Sequence, residues 1–139
     1  MKDLDDIMAT LNNYADAYCA KDIEALMRVF DVNGHISVIG TGEDELCSGA
    51  ESVKQLFLRN FAEATAIRFE WGWSDTVISG DHAVVSQCLT IHLNAGGSFL
   101  SIPVRWSVML KKTDRWVWLH RHASSAATSQ GEGQAYPTR

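Results

Sequence analysis

The stretch Arg115-Trp116-Val117-Trp118-Leu119-His120-Arg121-His122-Ala123-Ser124 decides the fold of this chain. Its β-type residues mark it as a strand, and it closes a run of similar segments. Working backwards, residues 99–111 form the strand before it, joined by a turn at Thr113-Asp114. Residues 83–93 form the one before that, between turns at Ser79-Gly80-Asp81 and Asn94-Ala95-Gly96-Gly97. Earlier still, Ile67, Phe69, Trp71, Trp73 and Val77 alternate with polar residues, the period of a half-buried strand.

Upstream of these strands the period changes to three and four. Leu4, Ile7, Met8, Leu11, Ala15 and Tyr18 share one face of a helix, with Asp3 as its expected N-cap. A second helix starts near Asp22, buries Ile23, Leu26, Met27 and Phe30, and stops at Asn33-Gly34. Residues 36–39 read as a short strand, Gly40-Thr41-Gly42 as a turn, and residues 43–47 as an edge strand pairing back. After Ser48-Gly49 a third helix carries Val53, Leu56, Phe57, Asn60 and Phe61 on one stripe.

Helices followed by long antiparallel strands give an α+β fold. The expectation is a cone-shaped, curved antiparallel (mixed) sheet packed on three N-terminal helices, with a pocket between the layers. The domain is expected over residues 1–125. Residues 126–139, rich in Ala, Ser, Gly and Gln, are expected as a tail that is mobile unless a partner orders it.

The composition narrows the function classes. The chain has 139 residues, one domain's worth, and its 46% hydrophobic and 21% charged content excludes a wholly disordered chain. Seventeen acidic against twelve basic residues give a net charge of −5, which repels phosphate, so no nucleic-acid partner is expected. No apolar run approaches the roughly 20 residues of a membrane span, so no membrane partner is expected. Residues 1–6 are acidic and lack the cationic region of a secretory signal. Cys19, Cys47 and Cys88 are widely spaced with no CxxC, which fits buried free thiols in a reducing cytoplasm rather than a disulfide frame or a zinc site.

Several segments together resemble a known superfamily. They are Tyr14-Ala15-Asp16-Ala17-Tyr18, Lys21-Asp22-Ile23-Glu24-Ala25-Leu26 with Phe30, Cys47-Ser48-Gly49, Arg105 and the closing stretch 115–124. Over residues 4–124 the chain is similar to the SnoaL-like, or nuclear transport factor 2-like, α+β cone domains. That group includes ketosteroid isomerases, polyketide cyclases, limonene epoxide hydrolases and the association domain of calcium/calmodulin-dependent kinase. The resemblance implies the cone fold; it leaves function open, because one fold hosts many chemistries.

Set against the isomerases, Tyr14 falls where their oxyanion tyrosine would be. The base position, eight residues past Phe30, is Val38, and Arg105 replaces the second oxyanion donor. Two of three parts are therefore missing for that mechanism. The resemblance implies that Arg105 points into the cone as a fork for a carboxylate or other anion. The alternative is an arginine facing solvent on the other sheet face, or one paired to a structural acid.

His120 and His122 lie two apart on one strand and are expected on one face, sharing parity with Trp116, Trp118 and Ser124. They are candidates for acid–base work or hydrogen bonding; the alternative is half-buried rings at the sheet face or a dimer contact. A metal would need His92 or His35 as third ligand, and no convincing pattern is present, so no metal and no cofactor is expected. Trp71 and Trp73, at one parity, suggest an aromatic wall for an apolar ligand, or plain packing. Asp75 shares their parity and is the one strand carboxylate with a claim as base, although its nearness to the Ser79-Gly80 turn suggests the rim. Tyr18, Val38 and His92 complete the expected lining, while Cys88 and Met109 are read as core.

These readings favour a small-molecule-binding cone with isomerase-, cyclase- or hydrolase-type activity, a histidine moving the proton while Arg105 fixes an anionic substrate group. The alternative is a non-catalytic homo-oligomeric association domain, and a cargo-binding role ranks third. In either leading case a homodimer through the outer sheet face is expected, because Trp106, Val108 and Leu110 offer an apolar face that needs cover.

Overall fold

The computed structural model describes residues 2–138. Two helices, α1 (Lys2–Cys19) and α2 (Ile23–Val29), lead into short strands β1 (Ser37–Ile39) and β2 (Leu46–Ser48). Helix α3 (Ala50–Glu63) precedes the long strands β3 (Thr65–Ser79), β4 (His82–Ala95), β5 (Ser98–Lys112) and β6 (Trp116–Ser124). The six strands form one sheet in the order β2-β1-β6-β5-β4-β3. β1 runs parallel to β6 and every other neighbouring pair is antiparallel, so the sheet is mixed. Residues 126–138 contain turns but no helix or strand.

Local chemistry sets the helix ends. Asp22 caps α2, its carboxylate accepting from the Ala25 N–H at 3.0 Å, and Arg28 sits in the last turn where a cation suits the helix dipole. Asp3 is not a cap: it lies within the first turn of α1. Its carboxylate instead accepts from Lys112 Nζ at 2.9 Å and Trp116 Nε1 at 3.2 Å, tying the helix to the sheet.

The core lies between the helices and one face of the sheet. Ile7, Leu11 and Tyr14 of α1, and Val53, Leu56 and Phe57 of α3, meet Val85 and Leu89 of β4, Val104, Trp106, Val108 and Leu110 of β5, and Trp118 of β6. Trp118 is fully buried; its indole N–H donates to Thr10 Oγ1 at 2.8 Å, and that hydroxyl donates to the Ile7 carbonyl at 2.6 Å. Trp106 likewise donates to Gln87 Oε1 at 3.1 Å, so the buried polar tips are satisfied.

Trp106, Val108 and Leu110 therefore face the helices, not the outer side of the sheet as expected. Their strand neighbours Arg105, Ser107 and Met109 are exposed there instead. Cys88 and Met109, read as core, are exposed on that same outer face, and Cys19 and Cys47 are only half-buried.

Two irregularities in pairing decide which side chains face inward. In β6, Met109 pairs with His120 but Leu110 pairs with Trp118, leaving Leu119 as an extra residue. A bulge of this kind reverses the alternation beyond it. Trp116 and Trp118 point into the core, and after Leu119 it is Arg121 and Ala123 that are buried. In β3, Trp71 pairs with Leu89 and Ser74 with Gln87, so Gly72 and Trp73 together oppose Cys88. Trp71 stays on the inner side, whereas Trp73 stands 64% exposed on the outer one.

Candidate functional site

A hollow of about 270 Å³ is lined by α1, the end of α3, the β1–β2 loop and the long strands β4, β5 and β6. Ile91, Leu93, Leu100, Ile102 and Val104 of β4 and β5 form one apolar wall, and Trp106 stands beside them. Tyr14 and Tyr18 come from α1, Asn60 and Glu63 from the end of α3, and Gly40, Thr41 and Glu45 from the β1–β2 loop. The loop is held shut on α3: Arg59 donates to Asp44 at 2.9 Å and to Glu45 at 3.1 Å, while Glu45 also accepts the Gly42 N–H at 2.6 Å. Gly40 is required at its place, since an added Cβ would lie 2.9 Å from the Cβ of Glu45.

The polar centre of the hollow is Arg121. The side chain is 93% buried by its 7% residual exposure. Its Nη1 donates to the Tyr14 hydroxyl oxygen at 2.7 Å, and its Nη2 makes a long 3.4 Å contact with the Ile39 carbonyl. Its Nε is buried without a partner. The guanidinium carbon sits 5.8 Å from the ring centroids of both Phe57 and Trp106. Among the described residues no carboxylate lies within ion-pairing distance of it.

Tyr14 is stacked on Trp118 with centroids 4.8 Å apart. Burial pushes its phenol above the usual range, against the opposing pull of the Arg121 charge. Burial does the same to Tyr18, with the nearby Tyr14 phenol adding to it. Both phenols are therefore neutral at neutral pH and act as hydrogen-bonding groups rather than bases.

Tyr14 and Tyr18 are the two expected site residues that line the hollow. Val38 is fully buried beneath it, paired in register with Arg121. Trp71 packs 6.2 Å from Trp106 in the core layer and donates to Asn12 Oδ1 at 3.1 Å. The other expected residues lie on the opposite face of the sheet. Arg105 points outward beside Trp73, Cys88 and His122, because its strand neighbours Val104 and Trp106 take the inward positions. Trp73 is outward because of the bulge at Gly72, and Asp75, in register with Ser86, is exposed. His92 bonds Ser101 Oγ at 2.9 Å and Glu70 Oε1 at 2.8 Å across three outer strand positions.

His120 and His122 do not share the face of Trp116 and Trp118, because Leu119 intervenes. Their ring centroids are 6.4 Å apart, and His120 Nδ1 lies 2.7 Å from Ser37 Oγ. Burial lowers the His120 pKa, with a hydrogen bond to the Ser37 backbone opposing. Neither ring reaches a molecule in the hollow, so histidine proton transfer to a ligand there has no geometric basis. Sequence reasoning passes over Arg121 because strict alternation from Trp118 sends that position, between the two histidines, outward. The signal was present: Trp116-Val117-Trp118-Leu119 is four consecutive apolar residues, which breaks a period-two pattern where the bulge occurs.

Residues 7–128 match the model of the SnoaL-like domain family. The chain belongs to that family. No curated protein sequence matches it. Among solved structures it is similar to a candidate dehydratase of the nuclear transport factor 2-like family from Streptomyces avermitilis, with a TM-score of 0.80 and 17% identity over 91% of this chain and 99% of that one. It is also similar to a candidate calcium/calmodulin-dependent protein kinase II association domain from Xanthomonas campestris, with a TM-score of 0.76 and 15% identity over 88% and 86% of the two chains. A ketosteroid isomerase-like protein from Erwinia carotovora atroseptica aligns with a TM-score of 0.71 and 18% identity over 87% and 94%. These likenesses establish the α+β cone fold. No helix among the described residues is long and apolar enough to cross a membrane.

Proposed function

We propose that this SnoaL-like chain binds a small, mainly apolar molecule in the hollow of its cone. One observation carries the reading: an aliphatic and aromatic wall faces a fixed pair of polar groups, Tyr14 and Arg121, in one concave site. Apolar pockets with a few convergent polar groups are the usual form of small-molecule sites. An isomerase-, cyclase- or hydrolase-type reaction would use Tyr14 and Arg121 to hold developing negative charge on a ligand oxygen. The carboxylates nearest to serve as base are Glu45 and Glu63 at the hollow's edge, with Glu45 already engaged by Arg59. Filling the hollow tests the reading. Small bicyclic aromatics should quench the tryptophan fluorescence of the native protein, and Ala123→Leu should abolish that quenching. Equal quenching in the filled variant overturns it.

A second reading, a homodimeric association module, is favoured by the outer sheet face. Trp73 at 64%, Val77 at 60% and Met109 at 42% exposure leave apolar surface uncovered by the chain itself. Light scattering at tens of micromolar protein should give twice the monomer mass; a strict monomer removes this reading. The two readings are compatible, since hollow and outer face lie on opposite sides of the sheet.

A further inference from the structure

We infer that the molecule taken by the cone is a monocarboxylate, and that Arg121 is the residue that selects it. This rests on the reading of the hollow as a small-molecule site and adds the ligand's chemical class. A guanidinium carries five N–H donors in a planar fork. Of those on Arg121, one is well used by Tyr14, one makes the long contact with Ile39, and the Nε donor has none. A charge buried to this extent is ordinarily paired, because leaving water is costly for an ion without a counter-charge. The acids in the neighbourhood do not supply one: Glu45 is held by Arg59 and the Gly42 N–H, and no carboxylate ion-pairs with Arg121 among the described residues. The flanking Phe57 and Trp106 rings, each 5.8 Å from the guanidinium carbon, give only cation–π attraction.

An anion bound beside Arg121 supplies what the fold withholds. A carboxylate matches the fork, and its second oxygen can accept from the neutral Tyr14 hydroxyl. The site's charge argues for a monoanion over a phosphate: one guanidinium is opposed by Glu45 and Glu63 at the edge of the same hollow. The apolar wall of Ile91, Leu93, Ile102 and Val104 then takes the hydrocarbon body.

The test compares three probes of one shape by isothermal titration: 2-naphthoate, 2-naphthalenemethanol and 2-naphthyl phosphate. The native protein should bind the carboxylate at least ten-fold tighter than either of the others. Arg121→Met should erase that preference while changing the alcohol's affinity less than about three-fold, and Arg121→Lys should restore part of it. Arg105→Met, on the outer face, should change nothing. Circular dichroism checks that each variant is folded, and the native preference stands or falls without them. Equal binding of acid and alcohol overturns the carboxylate inference and leaves the hollow reading intact. Preference for the phosphate, or a preference that survives Arg121→Met, also overturns it. If none of the three binds, the hollow reading falls and this inference with it.

Discussion

Arg121 Nη1 meets the Tyr14 hydroxyl oxygen at 2.7 Å, joining the last strand to the first helix across 107 positions of sequence. The contact makes the two side chains unequal in what they do for the fold. Tyr14→Phe takes away an acceptor and leaves a second guanidinium donor buried without a partner, at a cost of about 1–3 kcal/mol. Arg121→Met keeps most of the hydrocarbon stem and removes a buried charge that has no counter-ion, a gain that offsets the cost of leaving the Tyr14 hydroxyl without its donor. Urea denaturation should therefore find Arg121→Met within about 1 kcal/mol of the native protein and Tyr14→Phe clearly below it. The reverse order would show that the guanidinium stabilises the fold rather than serving a ligand.

Gly72 sits in the β3 bulge that turns Trp73 outward, and a Cβ there would lie 3.1 Å from the Cys88 carbonyl oxygen. That oxygen belongs to the neighbouring strand's backbone and cannot swing away. Gly72→Ala should cost about 1–3 kcal/mol, as overpacking does. Gly80→Asn, in the turn where φ is +60° and space is open, should cost less, because asparagine tolerates the left-handed region. Thermal denaturation of the two variants gives the comparison; equal losses would mean that the close approach at Gly72 does not matter.

The sequence made the layers legible because each element has a strong period of its own. The stripe Ile7, Leu11, Tyr14 and the alternation Val104, Trp106, Val108, Leu110 are buried in full. The direction in which a strand's inward face points was less accessible, since it depends on which parity the helices cover. The resemblance implies an inward Arg105, yet its own neighbours Val104 and Trp106 carry the larger apolar side chains and favour the outward alternative. The site was hidden by single inserted residues: Leu119 and the Gly72-Trp73 pair each reverse the parity downstream, and neither period counting nor spacing crosses such a break. Tyr14 and Tyr18 were found because they lie on a helix, where no bulge intervenes.

His120 gives a pH dependence of known sign. Its folded pKa lies below the ordinary value, chiefly through burial and further through the charges of His122 and Arg121. The folded state thus prefers the neutral ring. The stability this contributes is complete above the unfolded pKa near 6.5 and is lost as pH falls through and below it. Urea midpoints at pH 7.5 and 5.5 should differ more for the native protein than for His120→Gln, which keeps a hydrogen-bonding group near Ser37 and does not titrate. Identical pH differences in the two proteins would refute the assignment.

The buried Tyr14 phenol and the half-buried Tyr18 phenol act at the other end of the pH scale. Tyr14 and Tyr18 both have folded pKa values above the ordinary value near 10, with burial as the leading cause in each. Below pH 10 the folded and unfolded chains are both protonated at these sites, and stability is independent of them. Above it the unfolded chain ionises while the folded one resists, so stability falls as pH rises toward the folded values. Tyr18 is the cleaner probe, because Tyr14 is tied to Arg121. Between pH 9 and pH 11 the native protein should lose more stability than Tyr18→Phe, measured as the shift in urea midpoint. In a Tyr136→Phe background the tyrosinate absorbance of Tyr14 and Tyr18 should rise only as the protein unfolds. A single-stage rise near pH 10, with the protein still folded, would mean that the hollow admits water freely enough to ionise its own wall.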